Sequence, residues 1–437
     1  MTRRAAPSLV IAAPASGSGK TTVTLALLRA FVQSGVNVSS FKVGPDYIDP
    51  AFHHLASKRP CFNLDPWAMS ANTLKRSFEY AAKGSDLIIG EGVMGLFDGA
   101  QNGRGSTADL AKILDIPIIL VVDAKGQAAS VGALLHGFSS FRDDIKLAGV
   151  IFNSVGSVNH KTMLEAAANK VGIPILGAIP KSETLQLPRR HLGLVQAREN
   201  PEIEGFLDTA AKFTAEHVDL QKLKSIATSV SLESSVTHTI SPPGQKIAIA
   251  KDEAFAFSYP HQIADWKAAG AEITFFSPLN DETPAETADY IYLPGGYPEL
   301  HADKLSEAAN FKSALRRAAE DNIGIFGECG GYMVLGRTLT DKHGVAHPML
   351  DLLPVETSFE KPKLHLGYRH AKLITNSSVG FEGAHFNAHE FHYASEIKNS
   401  SAQPLFSLQN AKQEDLGYAG AKCGSVAGSF IHLIDKA

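Results

Sequence analysis

The sequence predicts two α/β domains in tandem: a doubly wound parallel sheet, then a second α/β unit that finishes in antiparallel strands. Three observations predict this. A chain of 437 residues is too long for one ordinary hydrophobic core. Short, continuous β-branched runs alternate with segments of helical period, as in strands covered on both faces. That alternation lapses after residue 199 and resumes at residue 246.

In the first region, strands are expected at Leu9 to Ala13, Val38 to Val43, Leu87 to Ile89, Ile116 to Val122, Leu147 to Phe152 and Ile173 to Ile179. Helices fit between them; Val23, Leu27, Leu28 and Phe31 recur at helical spacing. Residues 1–199 therefore read as one doubly wound domain. Residues 200–245 read as a charged helical piece ending near Ile226, then a Ser/Thr-rich linker through Ser241-Pro242-Pro243-Gly244. Residues 246–437 read as the second domain, with strands at Lys246 to Ala250, Ile273 to Phe276, Tyr290 to Leu293 and Ile323 to Phe326. Beyond Leu364 the pattern is antiparallel, and Ser425 to Phe430 is expected as the last strand.

Composition narrows the function. With 44% hydrophobic and 20% charged residues the chain should fold as a soluble globular protein. Lys plus Arg total 41 against 45 Asp plus Glu, and this net charge of -4 gives no general attraction for nucleic acid. Cys61, Cys329 and Cys423 are few and far apart, which argues against a disulfide framework or a CxxC metal site and for a reducing cytoplasm. The start, Met1 to Pro7, reads as no signal peptide, and no apolar run is long enough to span a bilayer. A cytoplasmic protein with no membrane or nucleic-acid partner is expected.

Ser16-Gly17-Ser18-Gly19-Lys20-Thr21-Thr22 follows a predicted strand and opens a predicted helix. Glycines there let backbone N–H groups turn inward on phosphate oxygens, while a lysine offsets charge and a hydroxyl serves Mg²⁺. Gly17, Gly19, Lys20 and Thr21 supply these parts, although Pro14 stands where the usual pattern begins with glycine. Two acidic segments beyond predicted strand ends, Lys42 to Pro50 and Glu91 to Gly99, look like companions of this loop. Their carboxylates either hold Mg²⁺, or position a substrate carboxylate, or cap turns.

Gly327-Glu328-Cys329-Gly330-Gly331 has the small neighbours of a nucleophile elbow, which places the sulfur at a helix N-terminus that favours the thiolate. His432 offers an imidazole, with His389 and His392 as competitors, and Pro294-Gly295-Gly296-Tyr297 offers backbone donors for an oxyanion. His389-Glu390-Phe391-His392-Tyr393 has its histidines three apart rather than four, so a structural or substrate-facing strand is expected in place of a zinc helix. On that strand Glu390 and His392 share a face. His53-His54 reads as a solvated helix face.

In order and combination, Ser16 to Thr22, Lys42 to Pro50, Glu91 to Gly99, Leu293 to Leu300, Gly327 to Gly331 and His389 to Tyr393 resemble the cobyrinic acid and hydrogenobyrinic acid a,c-diamide synthases, along essentially the whole chain. The resemblance implies an N-terminal ATP-binding domain similar to dethiobiotin synthetase and a C-terminal class I glutamine amidotransferase domain. It implies that Cys329 is the glutaminase nucleophile, that His432 raises its nucleophilicity, and that Gly296 lies at the oxyanion hole. Gly17, Ser18, Gly19, Lys20, Thr21 and Thr22 would bind ATP. Thr21, Asp46 and Glu91 would hold Mg²⁺, and Asp46, Asp49, Glu91 and Asp98 would surround the metal and the carboxylate being activated. Asn153 falls where related synthetases recognise adenine. L-glutamine and a corrinoid carboxylate are the implied partners, and a homodimer is the expected assembly.

One departure stands out. Many class I amidotransferases carry glutamate two residues after the histidine, where this chain has Ile434. Asp435 or Glu390 is the expected substitute for orienting the ring. The reaction implied is phosphorylation of the a and c acetate carboxylates by ATP, followed by attack of ammonia released from glutamine at Cys329 and passed internally. Cobyric acid synthase and nickel-sirohydrochlorin a,c-diamide synthase share both sites and are the near alternatives. A P-loop partitioning-type ATPase and a non-catalytic amidotransferase-like module are alternatives of other classes.

Overall fold

Buried β-branched strands whose side chains meet apolar neighbours on both faces build the parallel cores, as the runs of the sequence require. The computed structural model describes residues 3–185, 202–232, 240–397 and 402–437. The chain divides into two compact units, Met1–Thr237 and His238–Ala437. The expected boundary at 199/200 lies outside the described residues, as does part of the expected linker.

The first unit alternates β1 (Arg3–Ala12), α1 (Lys20–Gln33), β2 (Val38–Val43), α2 (Asp49–Ser57), β3 (Cys61–Leu64), α3 (Ala71–Ala82), β4 (Leu87–Glu91), α4 (Thr107–Leu114), β5 (Ile118–Asp123), α5 (Val131–Ser140), β6 (Leu147–Val155), α6 (Val158–Val171) and β7 (Ile175–Pro180). Then come α7 (Ile203–Ala215), α8 (Leu220–Ile226) and β8 (Thr228–Leu232). The parallel sheet runs β3-β2-β4-β1-β5-β6-β7, and β8 joins β1 antiparallel. Leu9 and Ile11 of β1 pack with Val23, Leu27 and Phe31 of α1 and with Leu207 and Leu223 of α7 and α8. The helices beyond residue 200 thus close this core. Strand β3 was not foreseen, being only four residues long.

The second unit contains β9 (Lys246–Ala250), α9 (Pro260–Ala268), β10 (Glu272–Phe276), β11 (Tyr290–Leu293), α10 (Ala302–Glu307), α11 (Ala309–Glu320), β12 (Gly324–Glu328) and α12 (Gly330–Leu335). Short strands β13 (Thr338–Thr340), β14 (Ala346–Pro348) and β15 (Glu356–Ser358) follow. The chain continues as β16 (His365–Leu373), β17 (His385–His392), β18 (Ser395–Ile397), β19 (Phe406–Asn410), β20 (Asp415–Ala419), β21 (Ala421–Cys423), β22 (Val426–Ser429) and β23 (Ile431–Lys436). The central sheet has the order β10-β9-β11-β12-β22-β21, and an antiparallel sheet has the order β20-β19-β16-β17-β23.

Side-chain alternation splits the central sheet between two cores. Ile291, Leu293 and Ile325 face one, while Tyr290, Tyr292 and Phe326 face the other, with Phe386, Ala388, Ile431 and Leu433 of the antiparallel sheet. The strand expected to be last is β22, and the chain continues past Phe430 into β23, which changes sheets and carries His432. Propensity does not reveal that break, because both halves are equally apolar.

Candidate active sites

The first site lies at the C-terminal ends of β1, β2 and β4, where ligands of open α/β sheets bind. The loop after β1 turns through Gly17 and Gly19 at φ 84° and 85°, and α1 starts at Lys20. Asn153, at the end of β6, donates its Nδ2 to the Ser18 carbonyl at 3.0 Å. A Cβ at position 19 would come within 2.2 Å of that nitrogen, so Asn153 would have to shift, and the positive φ favours glycine. The Ser18 hydroxyl donates to the Ala15 carbonyl at 2.9 Å, and Thr22 lies in the first turn of α1.

Glu91, fully buried at the end of β4, is the hub. Its Oε1 accepts from Thr21 Oγ1 at 2.6 Å, Lys42 Nζ at 2.8 Å and Lys20 Nζ at 3.0 Å, and its Oε2 pairs with His53 Nε2 at 2.6 Å. Burial alone would push this carboxyl up, but Lys42, Lys20 and His53 outweigh it and hold it well below the usual range. Lys42 also reaches Asp49 at 2.5 Å and Asp46 at 3.6 Å. Burial and the Asp46 charge raise the Asp49 carboxyl to about 6 against the pull of Lys42. Asp46 Oδ1 accepts the Ile48 and Asp49 amides, each at 2.9 Å, in the turn before α2.

The structure brings Lys20, Thr21, Asp46, Asp49 and Glu91 together. It leaves Asp98 exposed, with its Oδ2 accepting the Gly95 amide at 2.9 Å. Sequence reasoning placed His53 on a solvated face; it is fully buried against Glu91, and only His54 is exposed. The available signal was spacing, because Asp49 and His53 are four apart on α2 and so share a face. Lys42 was likewise legible as a lysine inside a wholly buried strand. The oxygens of Thr21, Asp49 and Glu91 converge, with Thr21 Oγ1 3.4 Å from Asp49 Oδ2. These are hard oxygen donors of the kind Mg²⁺ takes, with Lys20 and Lys42 sharing Glu91 Oε1 and Lys42 also on Asp49.

The second site forms where β12 gives way to α12. Cys329 sits between them at φ 46° and ψ -103°, a strained conformation for a side chain other than glycine. A Cβ at Gly331 would stand 2.0 Å from the Leu293 carbonyl oxygen, so the elbow closes only with glycine there. Position 295 lies between the reactive side chains: a Cβ there would be 2.5 Å from His432 Cε1, 3.3 Å from His432 Nε2 and 3.3 Å from Cys329 Cβ. Gly296 N lies 3.0 Å from a Cβ placed on Gly330, next to the nucleophile. Among the described residues this N–H donates to no backbone carbonyl.

Burial pushes the Cys329 thiol up, and Glu299 adds to that, against a hydrogen bond from the Gly330 amide. The helix-terminus argument for a resting thiolate is therefore overturned by desolvation: α12 has only six residues, and the sulfur is buried. Burial, with His389 and His392 nearby, lowers His432 to about 3, so its imidazole is a neutral proton acceptor. His389 stands edge-on to Tyr368. His392 is stacked on Phe430, and its ring nitrogens engage Glu390 and the Ala394 carbonyl, each at 2.9 Å.

Glu390 pairs with Arg369 at 2.7 Å and with His392, on the shared strand face that was expected, and its charge also acts on His432. His365, Glu390 and His392 have potential ligand atoms within 4.8 Å of one another, but the Arg369 pair already neutralises this carboxylate. The Asp435 Oδ1 accepts the Lys436 amide at 3.0 Å. A carboxylate beside His432 is that of Glu328, with Oε2 3.7 Å from Nδ1. Its register was hidden because it stands on β12, next to the nucleophile in sequence.

Family models match the two units separately. Residues 9–195 match a CobQ/CobB/MinD/ParA nucleotide binding domain, and residues 246–437 match a CobB/CobQ-like glutamine amidotransferase domain. The chain is 51% identical over 429 residues to the hydrogenobyrinate a,c-diamide synthase of Brucella anthropi, covering 98% of each. It is 50% identical to that of Rhizobium meliloti, covering 98% of this chain and 99% of the relative. It is 46% identical to that of Agrobacterium fabrum over the whole of both chains. Among the described residues no helix is long and apolar enough to cross a membrane.

Proposed function

The chain belongs to the hydrogenobyrinate a,c-diamide synthase family, and we propose that it amidates the a and c acetate groups of hydrogenobyrinic or cobyrinic acid, with ATP and L-glutamine as co-substrates. One observation carries this reading: a nucleotide-binding domain and a glutamine amidotransferase domain share one chain that aligns end to end with such synthases.

Residues 1–199 take the ATP-dependent half of the reaction and residues 246–437 the glutaminase half. Glycines 17 and 19, Ser18, Lys20, Thr21 and Thr22 hold the triphosphate, with Asn153 at the nucleoside end. Thr21, Asp46 and Glu91 would hold Mg²⁺, which would supply charge neutralisation at the phosphates. Lys20 and Lys42 carry ammonium groups to the same place. Asp49 and Asp98 help position the corrinoid carboxylate. An oxygen of that carboxylate attacks the γ-phosphorus, ADP leaves, and an acyl phosphate results.

At the second site the Cys329 proton passes to His432 Nε2 as sulfur adds to the glutamine amide carbon, with the Gly296 N–H facing the oxyanion. The C–N bond breaks, ammonia leaves with the proton from Nε2, and water later hydrolyses the thioester to glutamate. Ammonia attacks the acyl phosphate, and phosphate departs. Neutral thiol and neutral imidazole at rest fit a nucleophile that becomes anionic only when substrate is present.

The test is to offer hydrogenobyrinate and cobyrinate separately with ATP, Mg²⁺ and glutamine, and to count the amides gained by mass spectrometry. Two additions support the reading. Four would indicate cobyric acid synthase activity, and none on either ring would refute it.

A further inference from the structure

Two residues after His432 the chain carries Ile434, and a carboxylate approaches the imidazole from a strand of the other sheet. Glu328, at the end of β12, and His432, on β23, are both essentially fully buried, with Glu328 Oε2 3.7 Å from His432 Nδ1. Glu328 is itself fixed, because Tyr292 donates its hydroxyl to Oε2 at 2.7 Å and Leu433 donates its amide to Oε1 at 3.1 Å. Leu433 follows His432 directly, so one carboxylate grips the backbone beside the ring and faces the ring as well.

The other edge of that ring borders position 295, which Cys329 Cβ borders too, and the Cys329 sulfur donates to the Phe391 carbonyl at 3.6 Å. We propose that Glu328 is the positioning residue of the glutaminase site, holding His432 with Nδ1–H toward the carboxylate and Nε2 toward the sulfur. This rests on the amidotransferase reading and deepens it.

When His432 takes the thiol proton, a positive charge forms on a ring in a desolvated site, where a carboxylate at this distance stabilises it most. At rest the ring is neutral and the pair is weak. Its contribution comes in the transition state, so kcat should respond rather than glutamine KM. The groups facing Glu328 are Tyr290, Tyr292, Cys329 and His432, and those around His432 include His389, His392 and Glu390. Burial raises the Glu328 carboxyl to about 7 against the Tyr292 and Leu433 hydrogen bonds. A cavity of about 30 Å³ lined by Glu328, Gln262, Trp266 and Tyr292 has room for one water that can exchange its proton.

The test compares wild type, Glu328→Gln and Tyr292→Phe with the full chain, measuring glutamine hydrolysis and ammonia-dependent amidation across pH. Glu328→Gln should lower glutamine-dependent kcat by about 100-fold with glutamine KM nearly unchanged, and should abolish the acid limb near pH 7. Ammonia-dependent amidation should stay at the wild-type level, which separates this outcome from failure of the functional reading itself. Tyr292→Phe removes a bond that holds the carboxyl down and should move the acid limb to higher pH. Glu328→Gln with kcat within about twofold of wild type overturns the proposal. So does an acid limb unmoved in Tyr292→Phe, the arm that decides the matter if Glu328→Gln does not fold.

Discussion

His53 Nε2 lies 2.6 Å from Glu91 Oε2, and both side chains are sealed from solvent. Burial would lower the imidazole, but Cys61 and Glu91 raise it to about 10, and the same carboxylate also receives Lys20 and Lys42. Replacing His53 with Leu leaves Glu91 Oε2 without its partner. We expect the first unit to lose about 3–5 kcal/mol in denaturant unfolding, with His53→Gln losing less because it can still donate. Equal losses for the two variants would show that the interaction is packing alone.

The two chemistries should separate by mutation. Cys329→Ala should abolish glutamine-dependent amidation, by about 10³-fold or more, yet keep activity with ammonium salts. Lys20→Ala should lose both activities, because its ammonium serves the phosphate site. Rates measured with each nitrogen source decide the matter, and a Cys329→Ala enzyme inactive with ammonia would contradict the division of labour.

Gly19→Ala should abolish nucleotide binding. A side chain at φ 85° costs about 1–3 kcal/mol, and its Cβ would strike Asn153 at 2.2 Å. Equilibrium dialysis with a nucleotide analogue reads the loss. Asn153→Ala relieves the clash but not the φ cost, so Gly19→Ala/Asn153→Ala should recover only part of the folding stability.

Burial lowers His389 to about 3, helped by Arg369, from an ordinary value of 6.5. The folded state therefore binds fewer protons than the unfolded chain between those values, and stability present above pH 6.5 is lost as pH falls towards 3. The stability advantage of wild type over His389→Asn should shrink by up to about 1.4 kcal/mol per pH unit below 6.5. Denaturant unfolding at several pH values measures that slope, and a flat difference would refute it.

The sequence alone determined most of the order of strands and helices, though not β3 or the break between β22 and β23, and it marked the glycine loop before α1 and the strand-to-helix turn at Cys329. These are local features: a glycine at positive φ, a buried run or a strand-to-helix turn is written within a few neighbouring residues. It also placed Glu390 and His392 on one strand face, because strand period alone fixes that.

Only the tertiary structure decided which charges meet. It set His53 and Lys42 on Glu91, diverted Glu390 to Arg369, and put Glu328 on one strand beside His432 on another. It also buried Cys329, so that desolvation by residues distant in sequence pushes its thiol up. Registry between strands, and the dielectric that burial creates, arise when the chain closes on itself, and no local pattern encodes them.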